Sequence, residues 1–358
     1  MEGSIMTEVF KVSQSKVKVF RKCHQAYHYK YVEGLRKKRK SRPLQFGTMI
    51  HEALERYFNG DEPDEYFDEL ANNVEAMKLF SQEREEYGDI LQDTRDIITD
   101  YVEFWDDSGL RSVRKAKRGA EHHFEIELLP DVIWNGKIDA VAKTPNKLRW
   151  LVEHKTYNRK PNDDDRWRNL QSVTYFRAND MLGWTALDGC LWDYIKSKPP
   201  AVPGVLQDGT LSQKKIDTLP STVRRVVEER NESLDQYPQL VASAEKNRAE
   251  YFQRIHTPVN REVVDLVFAD FEATVREMVE KHGLVSDMNI DRHCSWCDYE
   301  PICRAKLQGL DADHVIQREF THGEKADQEE DDKPVVHKAD QQAVRRVQDA
   351  AAASQESR

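Results

Sequence analysis

Residues 136–157 read GKIDAVAKTPNKLRWLVEHKTY. Two β-rich runs, Val132 to Lys143 and Leu148 to Tyr157, flank the break Thr144-Pro145-Asn146-Lys147, and proline next to asparagine is ordinary turn chemistry. Folded as a hairpin about that turn, the runs set Asp139 opposite Glu153 or one place from it. Cross-strand Cβ atoms lie roughly 5 Å apart, close enough for two carboxylates to share one cation. Side chains alternate along a strand, so Lys155 shares the face of Glu153. Two acids and an amine therefore converge on one small site.

That set suits phosphodiester hydrolysis. Carboxylates are hard oxygen ligands for Mg²⁺ or Mn²⁺, which offset charge on a phosphate and acidify a bound water. A lysine beside them positions that water or stabilises a developing oxyanion. An acid-x-lysine triplet alone means little in a chain that is 33% charged. Asp331-Asp332-Lys333 has similar spacing in a stretch without β character. The hairpin setting gives Glu153-His154-Lys155 its weight.

Outward from the hairpin, Gln14 to Arg21 reads as a short helix capped by Ser13, and Phe46 to Tyr57 carries Ile50 and Leu54 at helical spacing with Phe58. His51 lies on that second helix with Glu55 one turn on, an imidazole available as a further metal ligand. Asp64 to Asp107 predicts two helices. His122 to Leu129 alternates as a half-buried strand, Arg166 to Leu182 is helical with Gln171 and Tyr175 on one face, and Leu187 to Lys196 is β-rich. Ser221 to Arg254 and Asn260 to His282 predict long helices. From Gln317 the apolar period is lost and a disordered acidic tail is expected.

The formal net charge of −10 runs against phosphate binding, but its distribution is uneven. Arg36, Lys37, Lys38, Arg39, Lys40 and Arg42 form one basic run; Arg114, Lys115, Lys117 and Arg118 form another. Both are candidate DNA contacts. No apolar run approaches the roughly 18 residues of a membrane span, and the start lacks an apolar signal segment, so a cytoplasmic chain is expected.

Five cysteines, an odd number in a chain read as non-secreted, point to thiolate ligands rather than disulfides. Cys294, Cys297 and Cys303 have metal-ligand spacing, and Cys23, at the end of the first helix, is the natural fourth. Cys190 sits in an apolar run and reads as a buried thiol. One close pair with two isolated cysteines favours an iron–sulfur cluster, with zinc as the alternative. Trp296 and Tyr299 are expected to shield it.

In order, the motifs GTMIH (47–51), GKIDAV (136–141), LVEHKT (151–156) and QSVTY (171–175), with one early cysteine and a late three-cysteine loop, resemble the PD-(D/E)XK nuclease superfamily. The resemblance is closest to its RecB-like iron–sulfur exonucleases, including the CRISPR-adaptation nuclease and phage homologues, and spans about Ser13 to Gly309. It implies an α/β restriction-endonuclease-like fold: a central mixed β-sheet flanked by helices, with a helical insertion and a C-terminal four-cysteine region. It implies that His51, Asp139, Glu153 and the backbone carbonyl of His154 bind the divalent metal and that Lys155 is catalytic. Gln171 and Tyr175 would orient substrate or lysine, and Cys23, Cys294, Cys297 and Cys303 would hold a 4Fe–4S cluster. Ile138 stands where the superfamily often has proline, a change common in the RecB-like branch.

The expected organisation is an N-terminal helix with the first cysteine (1–43), a nuclease core (44–198), a helical insertion or cover (199–283), the cysteine region (284–316) and the tail (317–358). The expected activity is metal-dependent exonuclease action on single-stranded DNA ends in recombination, repair or phage replication. Expected partners are DNA and recombination or replication proteins, without a membrane. The alternative is a DNA-end-binding adaptor with little nuclease activity of its own.

Overall fold

The structure, a computed structural model, describes residues 9–39, 41–73, 88–113, 120–158 and 164–323. Its centre is a mixed sheet of β1 (Phe10–Val12), β3 (Arg111–Ser112), β4 (Ala120–Leu129), β5 (Val132–Lys143), β6 (Arg149–Tyr157), β7 (Gly189–Lys196) and β8 (Phe252–Pro258). A two-stranded sheet, β2 (Leu35–Lys37) with β9 (Phe320–His322), joins the two ends of the folded chain.

The expected hairpin forms. Thr144 and Lys147 close its turn through Thr144 N–H to the Leu148 carbonyl at 3.0 Å and Lys147 N–H to the Thr144 carbonyl at 2.9 Å. β5 and β6 pair antiparallel with Ala140 facing Val152 and Lys143 facing Arg149. β6 and β7 run parallel, as strands joined by a helical crossover do, and β8 adds antiparallel. β7 is buried on both faces, which explains why it reads as a nearly continuous apolar run rather than as an alternation.

One face of the sheet carries α1 (Gln14–Lys22), α7 (Leu170–Met181) and α10 (Arg261–Lys281), which pack on one another. Their core includes Val17, Phe20, Val173, Phe176, Phe268 and Phe271 against Trp134, Val141 and Leu151. Between α1 and α7 the chain runs through α2 (His24–Tyr27), which continues as a π-helical turn over His28–Val32, and then α3 (Arg42–Asn59), α4 (Pro63–Asn72), α5 (Ile90–Trp105) and the short α6 (Asp164–Trp167). The other face is covered by α3 and α5, with Phe46, Ile50, Leu54, Ile97 and Tyr101 packed together. Pro43 starts α3, and Gly60, at φ 90°, ends it in the left-handed conformation that glycine tolerates.

Three expectations change. Residues 252–254, expected to end a long helix, begin β8 (Phe252–Pro258) instead; its partners Ile195 to Gly189 on β7 place it in the main sheet. Only Pro220–Glu229 (α8) and Pro238–Tyr251 (α9) are α-helical in that stretch, with Asn231 at φ 53° and Pro238 breaking the helix between them. The 199–283 insertion is thus partly core. β1 likewise brings residues assigned to a separate N-terminal unit into the sheet, beside β5. Finally, Gln317–His322 is not tail: after α11 (Glu300–Leu307), α12 (Ala312–Glu319) ends there and β9 pairs with β2. Residues 324–358 lie outside the described part. No helix of the described residues is long and apolar enough to cross a membrane.

α8 is held by acids from another helix. Its N-cap position, Leu219, has no capping side chain, and Asp100 of α5 supplies the acceptor, taking Ser221 N–H at 2.9 Å. Arg248 of α9 donates to the same carboxylate at 2.8 Å, and Arg225 pairs with Asp96 at 3.0 Å.

Candidate active site

The site sits where the sheet splits. β1 and β4 both pair with β5 over 132–134, so they lie on opposite edges of it. β4 and β6 both pair with Ala140, so they too are opposite, and β1 and β6 share one edge of β5. Along that edge residues 135–139 pair with neither, and β6 from Glu153 onward has no β5 partner. The result is a notch between β5 and β6.

Asp139 and Glu153 face each other across the notch, one step beyond the last pair, Ala140 with Val152. Both share strand parity with Val141 and Leu151, which pack toward α1, α7 and α10. The His154 N–H, with no backbone acceptor in β5, donates to Asp139 Oδ2 at 3.0 Å. His51 arrives from α3 on the other face, with Nδ1 3.7 Å from Asp139 Oδ1. Lys155 Nζ donates to Glu153 and, at 3.0 Å, to Gln171 Oε1, and Gln171 Nε2 reaches the Tyr175 hydroxyl at 3.4 Å. All the side chains marked in the sequence as candidates here therefore meet, and the notch lets groups from both faces reach one point.

Electrostatics fit that crowding. Glu153 is 0% exposed, and burial raises its carboxyl above the ordinary range, against the pull of Lys155, while Asp139 adds repulsion. Burial also works against charge on Lys155, but Glu153 and Asp139 outweigh it and hold the ammonium above its usual range. Burial first, then the neighbouring His154, lowers His51 to about 3. With 34% of its side chain still open to solvent the direction matters more than the size: the imidazole is neutral at neutral pH and has a lone pair to offer.

Beneath the notch lies a residue that the motifs did not single out. Asp193 of β7, 0% exposed, accepts from His154 Nδ1 at 3.1 Å, from Arg254 Nε at 3.3 Å and from the Tyr101 hydroxyl. Arg254 holds its carboxyl below the usual range despite burial, with His154 adding to the effect. This network anchors the His154 ring from behind. Its sequence signal was an aspartate inside the apolar strand GCLWDYIK, because a buried carboxylate demands partners.

The relay from Tyr175 to Lys155 rests on a glycine. A Cβ on Gly136 would lie 2.6 Å from Phe124 Cζ and 3.4 Å from Tyr175 Cε1. Phe124 is buried and packs edge-on against Trp134, so it has little room to yield. Gly136→Ala is expected to cost about 1–3 kcal/mol from overpacking and, by shifting Tyr175 and Gln171, to slow DNA cleavage roughly 10²-fold. A thermal melt and a cleavage rate on the same sample check it; an unchanged rate would show that the relay does not position Lys155.

Among the described residues, no group of three or more His, Cys, Asp or Glu side chains already stands at metal-holding distance. The donor set nevertheless fits a divalent cation. Glu153 Oε2 is buried without a hydrogen-bond partner, an orphaned oxygen that costs stability unless something positive meets it.

The basic runs are less available than their composition suggests. Lys37 lies 3.9 Å from Asp298, Lys38 Nζ donates to the Gln317 carbonyl at 2.6 Å, and Arg42 pairs with Asp93 at 3.1 Å. Arg36 is in β2 and Arg39 is exposed. Much of this run joins the chain ends. Lys40, Arg114, Lys115, Lys117 and Arg118 lie outside the described residues.

Cys23, Cys294, Cys297 and Cys303 line one cavity of about 270 Å³, together with Ile290, Tyr299 and Leu307. All are free thiols, and Cys190 is buried apart from them. Burial raises the Cys303 thiol to about 11, with Cys297, Cys23 and Cys294 each adding to the effect, as near neighbours do. Tyr299 is 7% exposed and covers the cluster region, but Trp296, expected to shield it, is 77% exposed and does not. Trp296, one of the two residues between Cys294 and Cys297, lies on the outer side of the loop.

Compared with known proteins, the sequence matches the profile of the PD-(D/E)XK nuclease superfamily over residues 11–304. The chain belongs to that superfamily. As a PD-(D/E)XK protein it has the fold its central sheet and flanking helices display, a nuclease ancestry that implies DNA as substrate, and relatives that use divalent metals. No curated relative matches the sequence. A solved structure titled "Crystal structure of SSO0001" aligns with 85% of this chain and 90% of its own at 13% identity, but a TM-score of 0.32 carries no argument.

Proposed function

We propose that this PD-(D/E)XK protein is a divalent-metal-dependent deoxyribonuclease acting on DNA ends, preferentially single-stranded ones. The observation that carries the reading is the convergence of Asp139, Glu153, Lys155 and His51 at the notch. Asp139, Glu153, His51 and the His154 carbonyl would hold the ion. The ion supplies Lewis acidity toward the phosphate and an acidified water. Lys155, kept protonated by the two carboxylates, stabilises charge growing on the phosphate oxygens. Gln171 and Tyr175 fix the ammonium in place, and Asp193 fixes the His154 ring.

The four thiols are proposed to hold an iron–sulfur cluster of the RecB-like kind. Their shared cavity suits a group of several atoms better than one zinc ion, which would draw the sulfurs to roughly 2.3 Å from a single centre. Anaerobically purified protein, incubated with end-labelled single-stranded and duplex DNA plus Mn²⁺, is expected to shorten the single strand progressively from an end. Binding of ends without cleavage under Mg²⁺ or Mn²⁺ would replace the enzyme with a DNA-end adaptor. Internal cuts in circular single strands would remove the requirement for an end.

A further inference from the structure

On the α3 and α5 side of the sheet lies a second cavity, of about 480 Å³. The end of α3 gives it Tyr57 and Phe58, the turn into β3 gives it Ser108 and Arg111, and β8 gives it Arg254. No acidic side chain among the described residues lines it, although acids outnumber Lys and Arg in this chain by 64 to 54. Cavities of roughly 300–1,000 Å³ with aromatic walls and a few fixed polar groups are where small ligands bind.

Arg254 is held rigidly there. Its side chain is 7% exposed, with Nε 3.3 Å from Asp193, Nη1 3.3 Å from the Ser108 hydroxyl and Nη2 2.9 Å from the Tyr101 hydroxyl. Its guanidinium carbon lies 4.1 Å from the centre of the Trp105 ring. These bonds take three of the five N–H groups of a guanidinium and leave two. Asp193 balances the charge of Arg254, so the uncompensated charge comes from Arg111, which is exposed and forms no ion pair among the described residues. Backbone pairing with Lys143 of β5 sets its place. The Tyr57 ring is fixed edge-on by Phe58 and Tyr101, at 5.5 and 6.0 Å. Planar guanidinium forks match phosphate oxygens, and a fixed aromatic ring offers a stacking face to any base.

We propose that this cavity is a nucleotide subsite, which takes a phosphate on Arg111 and Arg254 and a base against Tyr57. Its occupant is one nucleotide unit, free or within a strand. Binding there needs neither a metal ion nor cleavage, so the inference stands apart from the nuclease reading. The subsite is nevertheless close to β6: the Phe58 ring that lines it lies 5.1 Å from the His154 ring, and Asp193 joins Arg254 to His154 Nδ1.

The test is isothermal titration calorimetry on the full chain, purified anaerobically and kept in EDTA, with 2′-deoxyadenosine 5′-monophosphate and with inorganic phosphate. The nucleotide is expected to bind saturably and roughly tenfold more tightly than phosphate, because its base stacks. Arg111→Ala should weaken the nucleotide roughly tenfold through the loss of a charged hydrogen bond. Arg111→Glu should weaken it further, and Arg111→Lys should fall between Arg111→Ala and wild type. Tyr57→Leu should weaken the nucleotide about tenfold and leave phosphate binding as it was. A thermal melt checks each variant. Arg111 is exposed and unbonded, so its series stands even where Tyr57→Leu does not fold. Competition by a single-stranded oligonucleotide then assigns the source: displacement of the nucleotide points to a unit of a strand, and its absence to a free nucleotide. No nucleotide binding would overturn the proposal. So would binding that Arg111→Glu leaves at wild-type strength, or that inorganic phosphate matches. A protein inert toward DNA would leave all these results unchanged, so the two readings fail separately.

Discussion

Asp139→Ala is expected to lower Mn²⁺-dependent DNA hydrolysis by roughly 10³-fold or more, while the protein still folds. The substitution removes an oxygen facing Glu153 across the notch, and with it part of the charge that would localise the cation. Removing a single stabilising donor from a preorganised site already costs about 10²–10³ in rate, and the loss of a ligand affects both ion and water. The structural cost is smaller. The His154 N–H loses its acceptor, worth about 1–3 kcal/mol if left unsatisfied, against the roughly 5–15 kcal/mol typical of a folded protein. Asp139→Asn keeps an acceptor oxygen and should fold better while remaining inactive. Lys155→Ala should be as inactive, and Glu153, its carboxyl already raised by burial, would take a proton rather than remain a bare buried anion. Wild-type cleavage by Asp139→Ala, measured with end-labelled DNA, would sink the site assignment.

Cys23→Ser is expected to abolish visible absorbance near ~400 nm in anaerobically purified protein and to lower Tm by roughly 10 °C. A cluster joining Cys23 to the three late cysteines closes a loop of roughly 270 residues, for which chain entropy allows about 5 kcal/mol. At about 2–4 °C per kcal/mol for a domain of this size, the ceiling lies near 10–20 °C. The lower end is the better estimate, because other bonds already tie the same ends. Asn289 Nδ2 donates to the Lys22 carbonyl at 2.9 Å, the Tyr299 hydroxyl donates to the Leu35 carbonyl at 2.9 Å, and β2 pairs with β9. Cys190→Ser, buried away from the cavity, should leave the spectrum intact. Unchanged absorbance and melting in Cys23→Ser would remove that cysteine from the cluster, and absorbance confined to the ultraviolet in wild type would favour zinc.

The hairpin and the acids on it were legible because a turn of fixed length sets strand register, and register sets which side chains face each other. α3 and α7 were legible from apolar spacing, and His51, Gln171 and Tyr175 followed from their positions on those helices. β8 was not. Its strand places Arg254 against buried Asp193, so a charged residue points inward and the usual apolar alternation disappears. β9 was missed because three residues hold no period; only β2, nearly three hundred residues earlier in the chain, gives them a role. Asp193 acquires its role from topology, which sets β7 alongside β6 and its carboxylate beneath the His154 ring. The exposure of Trp296 was misjudged because a large aromatic near cysteines suggests cover, whereas the direction of a loop side chain depends on the local backbone.

The pairing of β2 with β9 also constrains synthesis. A ribosome adding about 5–20 residues per second needs on the order of 15–60 seconds between making Leu35 and making Phe320. During that interval Cys23 and the apolar face of the emerging first helix wait for partners not yet translated. The nascent chain therefore has reason to engage a holding chaperone early, and the proposed cluster could be completed only once Cys303 has been made.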